Sequence, residues 1–187
     1  MTEKLLLEPT ATAQWKKLLQ DAEQHCHSKL NEDIESYLVF TLMRFTQNPE
    51  LASKALAPDY LNCASLPHQA KQQLLRDVGD QCLLLSGLFP QRAEKRLVSV
   101  GYYVDLGRTA YNHLAELLKQ AFAHLYQQLS THFVQMMDLL QNIRREPALL
   151  PLQAIEQWQE TGSQNAQRIL SHYTSATPII INNKSRH

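Results

Sequence analysis

Apolar residues recur along most of this chain at intervals of three and four, the spacing of one face of an α-helix. Trp15, Leu18, Leu19, Ala22 and Cys26 form the first stripe and predict a helix over 12–29. The second stripe is Ile34, Tyr37, Leu38, Thr41, Leu42 and Phe45, with Asn31 placed to cap it and Glu32, Asp33 and Glu35 near its positive end. Asn48-Pro49 restarts the chain as cap plus first-turn proline, in a short helix that Pro58 closes. Residues 59–65 read as irregular or a brief helix, and Pro67 opens a long helix ending near Gly87, with glycine at its cap and Pro90 beyond.

Residues 89–98 form a connector, and Ser99 caps the next helix. From Tyr102 the apolar phase runs on through Phe122, Leu125, Leu129, Phe133, Met136, Met137, Leu140 and Ile143. One helix over that span would be roughly 60 Å long, more than a domain of this size accommodates. A break is therefore expected at Leu129 to Thr131, where Ser130 can cap. Pro147 and Pro151 punctuate the next turn. Leu152, Ile155 and Trp158 make a short helix, which Thr161-Gly162-Ser163 interrupts and Ala166, Ile169, Leu170 and Tyr173 resume. The expected fold is an all-α, single-domain bundle of about six or seven helices over 12–173, centred on helices at Leu66–Gly87 and Tyr102–Gln128. A flexible lead (1–11) and an extended or disordered tail (174–187), with the apolar triplet Ile179 to Ile181, flank it.

The middle of the chain is unusual. Gly79, Gly87, Gly101 and Gly107, four of the five glycines, fall between Val78 and Tyr111. Glycine inside a helix costs roughly 1 kcal/mol relative to alanine, so close approach of another element is the usual reason for it. Leu74, Val78, Cys82 and Leu85 form one stripe, and Leu83 and Leu84 lie outside it, which predicts burial on several sides. Tyr103, Leu106, Gly107, Ala110, Leu114 and Leu117 share a face of the next helix, with Asp105, Arg108, Asn112 and Glu116 opposite. Gly79, Gly87, Gly107 and Ala110 read as close-packing positions. The pattern Gly79-Asp80, Ser86-Gly87 with Phe89, Tyr102-Tyr103, and Gly107 with Ala110-Tyr111 resembles one in a family of uncharacterised bacterial all-helical proteins. The resemblance implies a helical fold and a bacterial source, and it transfers no activity or catalytic residue.

Charge narrows the choice of partners. Eighteen Lys and Arg balance eighteen Asp and Glu, which removes any general drive toward nucleic acid or an anionic membrane. Two small basic groups, Arg92 with Lys95 and Arg96 and the pair Arg144-Arg145, are diluted by Glu94 and Glu146, so nucleic acid is not expected. No run approaches 18 apolar residues, and the opening Met-Thr-Glu-Lys and three leucines are too short for a signal segment. Cys26, Cys63 and Cys82 suit neither a disulfide framework nor a zinc site, and Cys82 reads as a small buried hydrophobe. A cytoplasmic location follows as the expectation.

Candidate chemistry is sparse. His25 and His27 are two apart and point about 200° from each other on a helix, so they do not chelate one ion. His113 and Glu116 reverse the Glu-x-x-His order of di-iron bundles, and no metal or other cofactor is expected. Ser86-Gly87 is not a strand-to-helix nucleophile elbow. Asp80 is the most informative ionisable residue. Its simplest reading is a solvent-facing carboxylate bonded to Arg76 at four-residue spacing; buried, it would need Arg76, Arg96, Arg108 or the Tyr102 or Tyr103 hydroxyl. Met136-Met137 and Leu139-Leu140, with Phe122, Tyr126 and Phe133, widen an apolar face enough to suggest a second copy of the chain. The leading expectation is a non-enzymatic interaction or regulatory module that self-associates as a homodimer or binds another protein. The alternative is a small-ligand or haem-like cofactor binder, possibly an enzyme, with its pocket at Asp80, Phe89, Tyr102, Tyr103 and His113.

Overall fold

A computed structural model describes residues 10–52, 66–91, 98–144 and 149–173. Among them are eight α-helices and one 3-10 turn, without a strand. The expectations for Pro58, 59–65, Cys63, the basic residues Arg92, Lys95, Arg96 and Arg145, the lead up to residue 9 and the tail from 174 lie outside the described residues.

The first helix, α1 (Ala11–Cys26), starts where the Thr10 side chain accepts from the Ala13 N–H, and stops earlier than its stripe predicts. His27 takes a left-handed conformation (φ 51°) there and reverses the chain. The Glu23 carboxylate accepts from the Leu30 N–H across that reversal, at 2.7 Å. Asn31 then caps α2 (Glu32–Gln47) through the Ile34 N–H, as expected, and a 3-10 turn (Pro49–Ala52) follows. The long α3 (His68–Gly87) buries every residue from 78 to 88, in line with its all-round apolar pattern.

Gly87 does not act as a cap. It stays helical and buried while Leu88 terminates the helix, its N–H donating to the Leu84 carbonyl. The reason is packing: a Cβ on Gly87 would sit 2.6 Å from Leu140 Cβ.

Ser99 caps α4 (Val100–Leu117) through the Tyr102 N–H. The expected central helix over 102–128 is in fact two helices. Leu118 leaves the helical region, Gln120 takes a positive φ of 50°, and α5 (Gln120–Thr131) folds back along α4. Ser130 Oγ donates to the Arg108 carbonyl across that hairpin. A second break at His132, just past the expected position, separates α5 from α6 (Phe133–Ile143).

The most extensive helix pair is α3 on α4. They run antiparallel, with Gly79 beside Tyr111, Cys82 beside Gly107, and Gln72 bonded to the Leu117 carbonyl. The α1–α2 hairpin and α6 complete the main core. Gly107 is a true close approach, since a Cβ there would lie 2.5 Å from the Phe133 ring and 2.9 Å from Cys82 Cβ. Met136, Met137, Leu139, Leu140 and Phe133 are fully buried, and Tyr126 nearly so. The apolar breadth that suggested a second chain is thus taken up within this one, where α1 and α3 pack on α6, and only Phe122 is exposed.

The C-terminal pair α7 (Pro151–Thr161) and α8 (Gln164–Tyr173) stands apart. Gly162 (φ 72°) turns between them, and Ala154, Trp158, Ala166 and Leu170 form a separate small core with Leu149 and Ile169. Among the described residues no helix is long and apolar enough to cross a membrane.

Candidate functional site

Asp80 is only 3% exposed, which overturns its reading as a surface residue. Tyr37 and Tyr111 hydroxyls both donate to Oδ1, at 2.7 and 2.8 Å, and Arg44 Nη1 donates to Oδ2 at 2.7 Å. The second Arg44 nitrogen bonds Asp77 on the rim, also at 2.7 Å. Arg76, the expected partner, donates to Gln73 instead and acts on Asp80 only through its charge. Burial drives the Asp80 carboxyl up to about 6, against the opposing pull of Tyr37, Arg44 and Tyr111. Burial and the neighbouring Asp80 charge hold the Tyr37 and Tyr111 phenols well above their ordinary range. The Tyr126 ring packs edge-on to Tyr37, at 5.6 Å between centroids. Donors from α2 and α4 converge on a carboxylate of α3, so the cluster ties α2 to the α3–α4 pair.

Tyr37 and Arg44 were not among the site residues expected from sequence, yet a signal was present. They lie seven apart, on one face of α2, so an arginine shares the stripe that buries Tyr37.

The other expected pocket residues do not gather around Asp80. Phe89 packs at a tilt against Phe45, with ring centroids 5.4 Å apart. Tyr103 is buried, but it lies eight residues, roughly 12 Å, along α4 from Tyr111. Tyr102 is 47% exposed, and His113 is exposed as well. Among the described residues no three His, Cys, Asp or Glu side chains group as metal ligands.

A cavity of about 720 Å³ opens elsewhere, between the α1 C-terminus, α6 and the α7–α8 hairpin. Its walls carry Cys26, His27 and Ser28 at the end of α1, and Arg108 from α4. Gln135 and Asp138 come from α6, and Gln164, Asn165 and Arg168 from α8. Its lining holds the His27 imidazole but no Phe, Tyr or Trp ring. No family model matches this chain, and no curated protein or solved structure matches it either. The chemistry of the cavity must therefore be read from its own residues.

Asp138 is the buried carboxylate of this wall. Ser163 Oγ donates to its Oδ1 at 2.5 Å and the Asn165 N–H to its Oδ2 at 3.2 Å. Ser163 in turn caps α8 by accepting from the Ala166 N–H. A side chain of α6 thus closes the positive end of α8. Burial lifts the Asp138 carboxyl to about 6, against Ser163, the 164 and 165 amides and the charge of Arg168.

Arg168 reaches the other way and donates to the Cys26 carbonyl at 2.8 Å, which covers the end of α1. Burial raises the Cys26 thiol, with Arg168 pulling the other way, so the thiolate is disfavoured. Gln141 and Gln157 exchange two amide bonds, at 3.2 and 3.0 Å, and Glu160 accepts from the Gly101 N–H at 3.1 Å. Where these bonds join it to the body, the hairpin is held through polar groups.

Proposed function

We propose that this chain is a non-enzymatic, ligand-responsive helical module, in which a small polar molecule enters the cavity and fixes the α7–α8 hairpin to the body. The observation that carries this reading is the place of the cavity: about 720 Å³ on the polar seam between two separate hydrophobic cores. Small-molecule sites are commonly clefts of about 300–1,000 Å³ between structural units. A seam made of hydrogen bonds opens more readily than an apolar core, because water replaces the bonds that are lost. A ligand touching both sides binds the closed form better, and that difference in affinity is what shifts the population. A regulatory role fits the polar lining. The raised Cys26 thiol argues against nucleophilic chemistry there. A haem-like ring finds no Phe, Tyr or Trp to pack on in this cavity.

The test is a thermal-shift screen of the full chain against polar small molecules, followed by hydrogen exchange of the bound form. Saturable binding that slows exchange in α7 and α8 supports the reading. A ligand that protects α3 and α4 while α7 and α8 exchange unchanged would put the site in the main core instead, and a screen without any saturable binder would end the proposal.

A further inference from the structure

Two arginines from different parts of the chain line the same cavity. Arg168 belongs to the hairpin and Arg108 to α4 of the body. Arg108 is exposed, and among the described residues its side chain makes no hydrogen bond or ion pair; only its carbonyl is engaged, by Ser130. Arg168 gives one nitrogen to the Cys26 carbonyl, yet a guanidinium has five N–H donors, more than that carbonyl and the neighbouring thiol can use. Asp138 is the single carboxylate on the walls, and its oxygens already accept from Ser163 and Asn165. The cavity therefore carries two arginine charges against one carboxylate whose oxygens are already engaged.

The rest of the lining sets the frame of the ligand. The Gln164 side-chain amide, the Asn165 side-chain oxygen and the Ser28 O–H offer donors and acceptors, while Gln135 is already bonded to Ser28, the Lys29 carbonyl and His132. The His27 imidazole is the one ring among the lining residues, which leaves little surface on which a flat base would stack.

We infer that the cavity takes a small organic acid. A carboxylate or phosphate oxyanion would lie between Arg108 and Arg168, with a hydroxylated, non-aromatic frame against the amides. Guanidinium forks match such oxyanions two bonds at a time, which lysine does not reproduce. An anion held from both sides would draw the hairpin arginine toward the body arginine, so closure and recognition become one event. This rests on the ligand-responsive reading above and gives it a ligand class.

The experiment is calorimetric titration of the full chain with glucose 6-phosphate, citrate and inorganic phosphate, with glucose and glycerol as neutral counterparts. At least one anion is expected to bind saturably and at least tenfold tighter than its neutral counterpart, with affinity falling as salt is raised. Arg108→Gln is expected to weaken that anion at least tenfold without changing the melting temperature, and Arg108→Lys to restore only part of it. Because Arg168 also covers the end of α1, Arg168→Gln is read by affinity and melting temperature together, while Arg108→Gln carries the decision. Glucose binding as well as glucose 6-phosphate overturns the anion class, as does an Arg108→Gln variant with unchanged anion affinity. If such a neutral ligand still slows exchange in α7 and α8, the cavity reading survives and only the ligand class is lost. Failure of all three anions overturns the inference, and the wider screen then decides the cavity reading by itself.

Discussion

The centre of the main core and its seam with the C-terminal hairpin treat a buried carboxylate in opposite ways. Asp80 lies within the main core, enclosed by the rings of Tyr37 and Tyr111 and fixed by Arg44. Asp138 lies at the edge of that core and faces outward, receiving the cap of another helix and bordering an open cavity. Both carboxyls are pushed up to about 6 by burial, so desolvation alone does not separate them. The difference is in what each holds together. Asp80 joins elements that also share an extensive apolar interface, and its polar bonds specify a packing that hydrophobic contact already favours. Asp138 joins two cores whose apolar clusters are distinct, so the polar bonds account for much of the attachment.

That contrast breaks most sharply at Asp80. Asp80→Ala leaves two phenol hydroxyls in the core without their acceptor and Arg44 with only Asp77, and removing one partner of a buried pair typically costs about 3–5 kcal/mol. Urea unfolding of the body should show a loss of that order. A loss well below 1 kcal/mol would mean that the cluster is not the tie described here.

Asp138 sharpens the comparison through pH. Its carboxyl titrates near 6 when folded and near 4 when unfolded. The folded chain therefore holds a proton that the unfolded chain has lost between those values. The stability from this group is complete below about 4 and disappears as pH rises through about 6, at roughly 1.4 kcal/mol per pH unit. Asp80 has the same sign and the same window. The gap in unfolding free energy between the wild type and Asp138→Asn should shrink by about 2–3 kcal/mol from pH 4 to pH 7. Fixed effects of the substitution cancel in that slope. Exchange of hairpin amides should follow the same curve, whereas in Asp80→Asn the core amides should follow it. Identical slopes in the wild type and Asp138→Asn would show that the group does not change its proton on folding.

Much of this architecture was legible in the sequence, because caps and periodicity are local. Asn31, Ser99 and the Gly162 turn mark helix ends in place, and the apolar run before Gly87 foretold burial on every side. The reversal at Leu118 was not legible. It uses neither glycine nor proline, and Gln120 accepts a left-handed conformation so that α5 can return along α4. The Asp80 cluster was half legible, since the carboxylate drew attention while its true cation stood on another helix, 36 positions away. The cavity was hidden because it exists only where α8 meets α1, with Arg168 and Cys26 separated by 142 positions. Arg108 stands on the polar face of its helix, which looks solvated when read alone.

Glycines give the smaller tests. Gly79→Ala would gain roughly 1 kcal/mol in helix propensity anywhere else on α3. Here the new methyl group would overlap the Tyr111 ring, whose hydroxyl is anchored on Asp80, so the ring cannot swing aside without breaking that bond. Overpacking of this kind typically costs about 1–3 kcal/mol, and the sign of the change is the measurement that matters. A stabilised Gly79→Ala variant would show that the α3–α4 contact is looser than its geometry.

Gly162→Ala is the counterpart in the hairpin and the mildest change. Nothing lies within 4 Å of the added Cβ, so packing contributes nothing. The backbone alone objects, because φ is 72°, a conformation that disfavours an L side chain by roughly 1 kcal/mol. The loss should be confined to α7 and α8. Their amides should exchange about fivefold faster, as expected from 1 kcal/mol, while those of α3 and α4 keep their rates. If the core amides accelerated equally, hairpin and body would be one cooperative unit, and a ligand could not move one against the other.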